Sequence, residues 1–140
     1  MAQLTPQEIK EFIYKQCERW NAHDKEGYTK LWQSVGPDLI SFEDPVGTVP
    51  KTGWDMWSDM WDRFNPQSQE QRVEHLAVCG NEAAMHLYFR SEEDGQIVET
   101  RNIEIWKFDS GKLYARAFWE IPEGGPKDAS MAEYVNLGEK

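Results

Sequence analysis

The sequence predicts a single α+β domain, in which a curved sheet from the second half of the chain wraps around helices from the first half. At 140 residues, the chain has room for one hydrophobic core. Apolar residues recur at helical spacing as far as residue 64, whereas the segments after residue 66 are typical of strands. The stretches at 94–95 and 109–111 are typical hairpin turns between such strands. Helices followed by a run of antiparallel strands indicate the α+β class.

The first helix has a clear start signal. Thr5 is a suitable N-cap, Pro6 suits the first turn, and Glu8 lies where a capping box requires it. At 100° per residue the helix presents one apolar stripe up to about residue 20, formed by Ile9, Phe12, Ile13 and Trp20. Gln16 lies in the middle of that stripe, so its amide needs either a hydrogen-bond partner or a role in function.

The other elements follow from the same periodicities. A second helix is predicted at 25–33, and a third carries a row of large apolar side chains after residue 53. A short strand is predicted at 39–44. Four further strands are predicted at about 71–79, 83–91, 96–108 and 112–120. The predicted domain is 1–122, and 123–140 is predicted to be a loosely ordered tail.

Asp44 is the clearest candidate for chemistry. Strand alternation places it on the same inward face as Ile40 and Phe42, while Glu43 faces water. Desolvation raises the pKa of a carboxyl group, which makes it a usable proton acceptor near neutral pH. The alternative is that Asp44 caps the turn before Pro45.

Glu104 is the second candidate. Its neighbours on one strand face are Asn102, Trp106 and Phe108, so a partly apolar setting is expected. A carboxyl group held there would stay protonated and donate a hydrogen bond. The alternative is an exposed Glu104 that pairs across the strand with a Lys or Arg.

The histidines are not predicted to be catalytic. His86 should face away from its apolar strand neighbours and lie on the sheet surface or in a subunit interface. His23 in a turn and His75 at a strand start have no visible partner. Arg101 and Arg116 are predicted to be sheet-face charges.

Composition excludes several classes of partner. The formal net charge of −10 argues against binding to nucleic acid or to anionic membrane surfaces. No apolar stretch is long enough to span a bilayer. The two cysteines and three histidines have no metal-ligand spacing, so no metal or cofactor is predicted and a reducing cytoplasmic location is expected.

The aromatic fraction of 13%, with seven Trp, suits a bulky core or a pocket for a flat apolar ligand. The predicted ligand contacts are Trp20, Trp32, Trp57, Trp61, Leu87, Phe89, Trp106 and Trp119.

Several motifs resemble those of the ketosteroid isomerase-like family, which includes SnoaL-like proteins. The similarity covers roughly residues 8–121. In order, the motifs are WNAHDKEG at 20–27, EDPVG at 43–47, NEAA at 81–84, IEIWKF at 103–108 and RAFW at 116–119. The resemblance implies a cone-shaped barrel of curved antiparallel sheet around three helices, and a homodimer.

The resemblance also implies site roles. Asp44 matches the family's proton-shuttling base, and Glu104 falls where the family has a protonated Asp that donates to the substrate oxygen. Gln16 replaces the oxyanion-hole Tyr, which is the main departure. Trp32 and Trp61 stand where the family often has supporting Tyr residues, and Trp119 matches an apolar pocket position.

The predicted function is that of a cofactor-free acid–base enzyme acting on a hydrophobic, ring-containing small molecule. Steroid-type double-bond isomerisation is its most specific form. One alternative is a lyase or dehydratase acting on an aromatic substrate. The other is a non-catalytic small-molecule-binding module, because fold does not fix reaction.

Overall fold

The computed structural model describes residues 1–120, so the predicted tail at 123–140 lies outside the described residues. The helical elements are α1 (Pro6–Asn21), α2 (Lys25–Val35) and α3 (Trp54–Phe64), followed by a 3-10 turn at Asn65–Gln67. The strands are β1 (Leu39–Glu43), β2 (Lys51–Thr52), β3 (Ser68–Cys79), β4 (Glu82–Glu93), β5 (Gln96–Asp109) and β6 (Lys112–Phe118).

Helix α1 begins with the capping box that its sequence predicts. The Thr5 hydroxyl accepts a hydrogen bond from the Glu8 amide, and the Glu8 carboxylate accepts one from the Thr5 amide. The apolar stripe of α1 is buried against the sheet, and Gln16 within it has no solvent exposure. The cap therefore fixes where α1 starts, and the stripe fixes which side of it faces the core.

The six strands form one curved sheet in the order β2-β1-β6-β5-β4-β3. The predicted α+β fold, a curved sheet around three helices, is confirmed, and two details of the sheet differ from the expected antiparallel barrel. Strand β1 pairs with β6 in parallel, so the sheet is mixed, and β2 and β3 are left as its two edges, so it does not close. Parallel neighbours need a long crossover connection, and here the whole segment from β2 to β5 supplies it.

The inner face of the sheet holds the core. Alternate residues of β5 are buried, and Glu104, Trp106 and Phe108 are 4%, 1% and 1% exposed. Trp32 of α2 contacts Trp106 with ring centroids 5.0 Å apart, and Phe12 of α1 contacts both Trp32 and Trp106. Helices α1 and α2 thus pack onto the strand that carries the second candidate carboxyl group.

The outer face of the sheet carries mainly polar and charged side chains, with a few exposed apolar ones such as Ile103. His86 lies there, as predicted, and its ring stacks on that of His75 at 6.2 Å. The prediction that His75 is at a strand start is wrong, because β3 begins seven residues earlier at Ser68. Arg101 and Arg116 are sheet-face charges, paired with glutamates. The homodimer stays a prediction.

Candidate active site

A cavity of about 300 Å³ lies between the three helices and the inner face of the sheet. It brings together all three predicted catalytic residues, Asp44, Glu104 and Gln16. Six of the eight predicted ligand contacts also line it, namely Trp20, Trp32, Trp57, Phe89, Trp106 and Trp119. The wall is therefore largely aromatic, as a site for a flat apolar ligand requires.

Two of the predicted ligand contacts do not line the cavity. Trp61 is buried behind its wall, with ring centroids 5.0 Å from Trp20 and 4.8 Å from Tyr28. Leu87 is fully buried on the inner face of β4. Both have the inward orientation that the periodicity predicts, but other side chains lie between them and the cavity space.

Glu104 is fixed by two hydrogen bonds on the buried face of β5. Its Oε1 accepts from the Trp106 indole N–H and its Oε2 from the Asn102 amide, both at 2.9 Å. Burial raises the pKa of the Glu104 carboxyl from 4.5 to about 7; the Asp44 charge adds to the rise and the two hydrogen bonds oppose it. The alternative of an exposed Glu104 is therefore wrong.

Asp44 follows directly after β1 and is half-buried at the cavity wall. Its Oδ1 accepts a hydrogen bond of 2.7 Å from the Trp119 indole N–H. The charged Lys51 ammonium donates to the Asp44 backbone carbonyl at 2.8 Å, which ties β2 to the end of β1. The neighbouring carboxylate, Glu43, accepts the Gly47 amide in the following turn. Asp44 is thus held at the cavity, while Glu43 caps the turn.

Gln16 lies at the cavity with its amide only partly satisfied. Its Nε2 donates to the Cys17 sulfur at 3.0 Å, and among residues 1–120 its Oε1 has no hydrogen-bond partner. Burial raises the pKa of the Cys17 thiol to about 12, so the thiol stays protonated. A buried amide oxygen without a partner is costly, which is consistent with a position that meets a ligand.

Several residues that line the cavity are not among the predicted site residues, and two sets of them lie on α2 and α3. Tyr28 is not among the predicted ligand contacts, but it lines the cavity one turn before Trp32 on α2. On α3, Met56, Met60 and Arg63 follow helical spacing, beside the predicted row of Trp side chains, and they also line the cavity. The i, i+3 and i+4 pattern could have found both sets, since each lies next to a predicted contact.

Residues outside the cavity have structural roles. The expectation that His23 has no partner is wrong, because its Nδ1 lies 2.7 Å from the Asn65 Oδ1, and Asn65 in turn donates to the Trp20 carbonyl. Within residues 1–120, no group of three or more His, Cys, Asp or Glu side chains could hold a metal ion. No helix in the same stretch is long and apolar enough to cross a bilayer.

The fold and the cavity together define an α+β domain that places a carboxyl pair in an aromatic pocket. The sequence matches the family model of the SnoaL-like domain over residues 13–116, so the chain belongs to the SnoaL-like domain family and has the ketosteroid isomerase-like fold. No curated protein matches the sequence.

Solved structures support the same fold. The epoxide hydrolase/cyclase-like enzyme SalBIII, which has a role in pyran ring formation in the polyether salinomycin, aligns with a TM-score of 0.69 and 18% identity over 81% of this chain and 91% of its own. RV0760c from Mycobacterium tuberculosis aligns at 0.68 and 19% over 86% and 95%. A computationally designed 17-OHP binder aligns at 0.64 and 16% over 79% and 89%.

Proposed function

We propose that this protein is a cofactor-free acid–base enzyme that acts on a hydrophobic, ring-containing small molecule. The observation that carries the proposal is that two carboxyl groups, Asp44 and Glu104, line one aromatic cavity but have different environments. Glu104 is buried and has a pKa raised to about 7, whereas Asp44 is half-buried at the end of β1. In one site, two such groups can act as a general base and as a protonated carboxyl group that donates a hydrogen bond.

Asp44 is the proposed base. The Trp119 indole N–H donates to one of its carboxylate oxygens, which fixes the orientation of the group at the cavity, and an ionised carboxylate is a proton acceptor. Glu104 is the proposed acid, since the apolar surroundings and the nearby Asp44 charge both favour its neutral form.

The most specific form of the proposal is isomerisation of a β,γ-unsaturated ketone. Asp44 removes the proton from the carbon between the carbonyl group and the double bond. The electron pair moves onto the carbonyl oxygen, where the Glu104 O–H donates a hydrogen bond to the developing charge. Asp44 then returns the proton to the far end of the conjugated system, which gives the conjugated enone and restores both carboxyl groups.

A binding module without catalysis is the second candidate, and one observation favours it. Both Glu104 oxygens already accept hydrogen bonds from the protein's own donors, an arrangement that also suits an ionised structural carboxylate. The designed 17-OHP binder is an example of a similar fold used for binding. A lyase or dehydratase would use the same Asp44 base and differ only in the bond that breaks.

Asp44→Asn tests the proposal. With a steroid-type β,γ-enone, we expect the wild-type protein to form a conjugated product that absorbs in the near ultraviolet. We expect the variant to bind the same ligand with turnover reduced by about 10²- to 10⁴-fold, because the amide cannot accept the proton. Turnover is followed by absorbance, and binding by quenching of Trp fluorescence.

Glu43→Gln is the matched control, since it removes the adjacent carboxylate that caps the turn and points away from the cavity. We expect it to leave turnover within a few-fold of wild type. Product analysis by mass distinguishes isomerisation from loss of water or cleavage. Equal turnover in Asp44→Asn and wild type would refute the proposed base, and quenching without any product would favour the binding module.

A further inference from the structure

Tyr28 is held rigidly in the cavity wall. Its side chain is 3% exposed, and its ring stacks on Trp57 with centroids 5.9 Å apart and planes within 9°. Trp61 and Trp20 contact it from other sides at 4.8 and 5.6 Å. A ring packed in this way has little freedom to move, so the position of its hydroxyl group is fixed by the fold.

The Tyr28 hydroxyl is a hydrogen-bond donor without an acceptor. Burial raises the pKa of the Tyr28 hydroxyl well above its usual value, so the O–H keeps its proton. The Trp32 indole N–H, which can only donate, opposes this rise in pKa and supplies no acceptor for the Tyr28 O–H. In the part of the chain that the structure describes, no group accepts a hydrogen bond from this O–H.

The other polar groups near this wall are less suited to stabilise a negative oxygen. The Gln16 amide already donates to the Cys17 sulfur, and an amide N–H is a weaker acid than a phenol. Glu104 supplies one O–H at most. A phenol O–H held in an apolar, preorganised site is a strong donor to a developing oxyanion.

From these contacts we infer that the Tyr28 hydroxyl is a substrate-binding hydrogen-bond donor, which acts with Glu104 on one oxygen atom of the ligand. The ligand class is then a ring system that carries a ketone or enolate-type oxygen at its buried end. The inference rests on the proposed function for its catalytic meaning, but it makes a binding prediction of its own. Tyr28 on α2 would thus supply the phenol that α1 lacks at Gln16.

The test compares two ligands of nearly equal shape, 2-naphthol and 2-methylnaphthalene, by calorimetry. We expect Tyr28→Phe, which removes only the hydroxyl group, to weaken 2-naphthol binding by about 10- to 100-fold, as for the loss of a hydrogen bond to a polar or charged oxygen. Binding of 2-methylnaphthalene should stay within about twofold. Tyr14→Phe is the matched control, because Tyr14 is 51% exposed on the opposite side of α1, and it should change neither affinity.

A second measurement does not depend on the folding of the variant. In wild-type protein labelled with 3-fluorotyrosine, the Tyr28 resonance is assigned by elimination with Phe variants of the other four tyrosines. We expect it to shift more with 2-naphthol than with 2-methylnaphthalene. Equal shifts with the two ligands, or equal losses of affinity in Tyr28→Phe, would overturn the inference.

The two proposals fail in different ways. If Asp44→Asn retains full turnover, the acid–base function is wrong, but the preference of Tyr28 for 2-naphthol is unaffected. If Tyr28→Phe keeps the preference for 2-naphthol, the donor role is wrong, while the effect of Asp44→Asn on turnover still stands.

Discussion

Glu104 and Glu74 lie on opposite faces of the same sheet, and the pKa values of their carboxyl groups are shifted in opposite directions. Glu104 is buried on the inner face with two neutral donors, and burial raises its pKa to about 7. Glu74 lies on the outer face, where hydrogen bonding to Arg101 lowers its pKa; partial burial opposes the shift, and the Arg101 and Arg72 charges reinforce it.

This difference in pKa shows that the groups in contact with a strand glutamate determine its protonation state. Both residues are glutamates well inside long strands, so neither the residue type nor the place along the strand distinguishes them. A full countercharge stabilises the ionised form on the outer face, whereas neutral N–H donors on the inner face only partly offset desolvation. The inner face can therefore hold a neutral acid near pH 7, and the outer face cannot.

The largest expected effect comes from Glu104→Gln. An unfolded chain ionises Glu104 above its ordinary pKa of 4.5, but the folded chain keeps the proton until about 7. Folding stability therefore falls as pH rises from 4.5 to 7 and is then constant. Because Gln does not titrate, the variant should be equal to wild type near pH 4 and more stable by roughly 3 kcal/mol at pH 8.

Urea unfolding of both proteins between pH 4 and 8 measures this difference. The amide can be accommodated, because the Asn102 Oδ1 has no partner among residues 1–120 and can accept from the new N–H after rotation of the Asn102 amide. A stability difference that does not change with pH would contradict the assignment of a neutral Glu104.

Strand alternation predicts that Glu104 shares a strand face with Trp106 and Phe108, but it leaves open whether Glu104 is buried or exposed. It places Glu104, Trp106 and Phe108 together, and these residues are all buried. It could not predict the parallel pairing of β1 with β6, because that contact joins segments some seventy residues apart and depends on the path of the whole chain. The two-residue strand β2 was also missed, since so short a segment has no periodicity.

The sequence predicts which side chains face the interior better than it predicts which of them line the cavity. Periodicity identifies which side of a helix faces inward, but not which inward side chain meets empty space. Trp61 and Leu87 are therefore predicted as ligand contacts, although other side chains cover both, whereas Tyr28 lines the cavity and is not among the predicted contacts. Only the packing of the other aromatic rings decides between these positions.

The second prediction isolates the Trp106 hydrogen bond to Glu104. Trp106→Phe removes the indole N–H, which should raise the pKa of Glu104 further and destabilise the fold by about 1–2 kcal/mol through the smaller ring. The cost should grow above pH 7, because a hydrogen bond to the ionised carboxylate is stronger than one to the neutral acid.

Trp57→Phe is its matched control. Trp57 is equally buried in the cavity wall, but its indole N–H has no partner among residues 1–120. The two variants lose the same atoms, so we expect similar unfolding free energies at pH 5 and a gap of about 1 kcal/mol at pH 8. An equal pH dependence in both variants would mean that the Trp106 bond does not hold the Glu104 carboxylate.

The smallest expected effect is on the outer face, from Glu74→Gln. The carboxylate is partly exposed, so solvent screens its pairing with Arg101, and the loss should be less than about 1 kcal/mol at neutral pH. The pH dependence of folding stability is opposite to that of Glu104. Because pairing lowers the pKa of Glu74, its contribution to stability is present at neutral pH and is lost as pH falls through the folded-state pKa. High salt should also remove this contribution to stability, since ion pairs near the surface are screened.

Turnover and ligand binding should not change in Glu74→Gln, because Glu74 is on the face away from the cavity. Thermal unfolding at low and high salt measures the effect, and a loss as large as the Glu104→Gln change, or one insensitive to salt, would show that the two faces are not as different as their pKa shifts indicate.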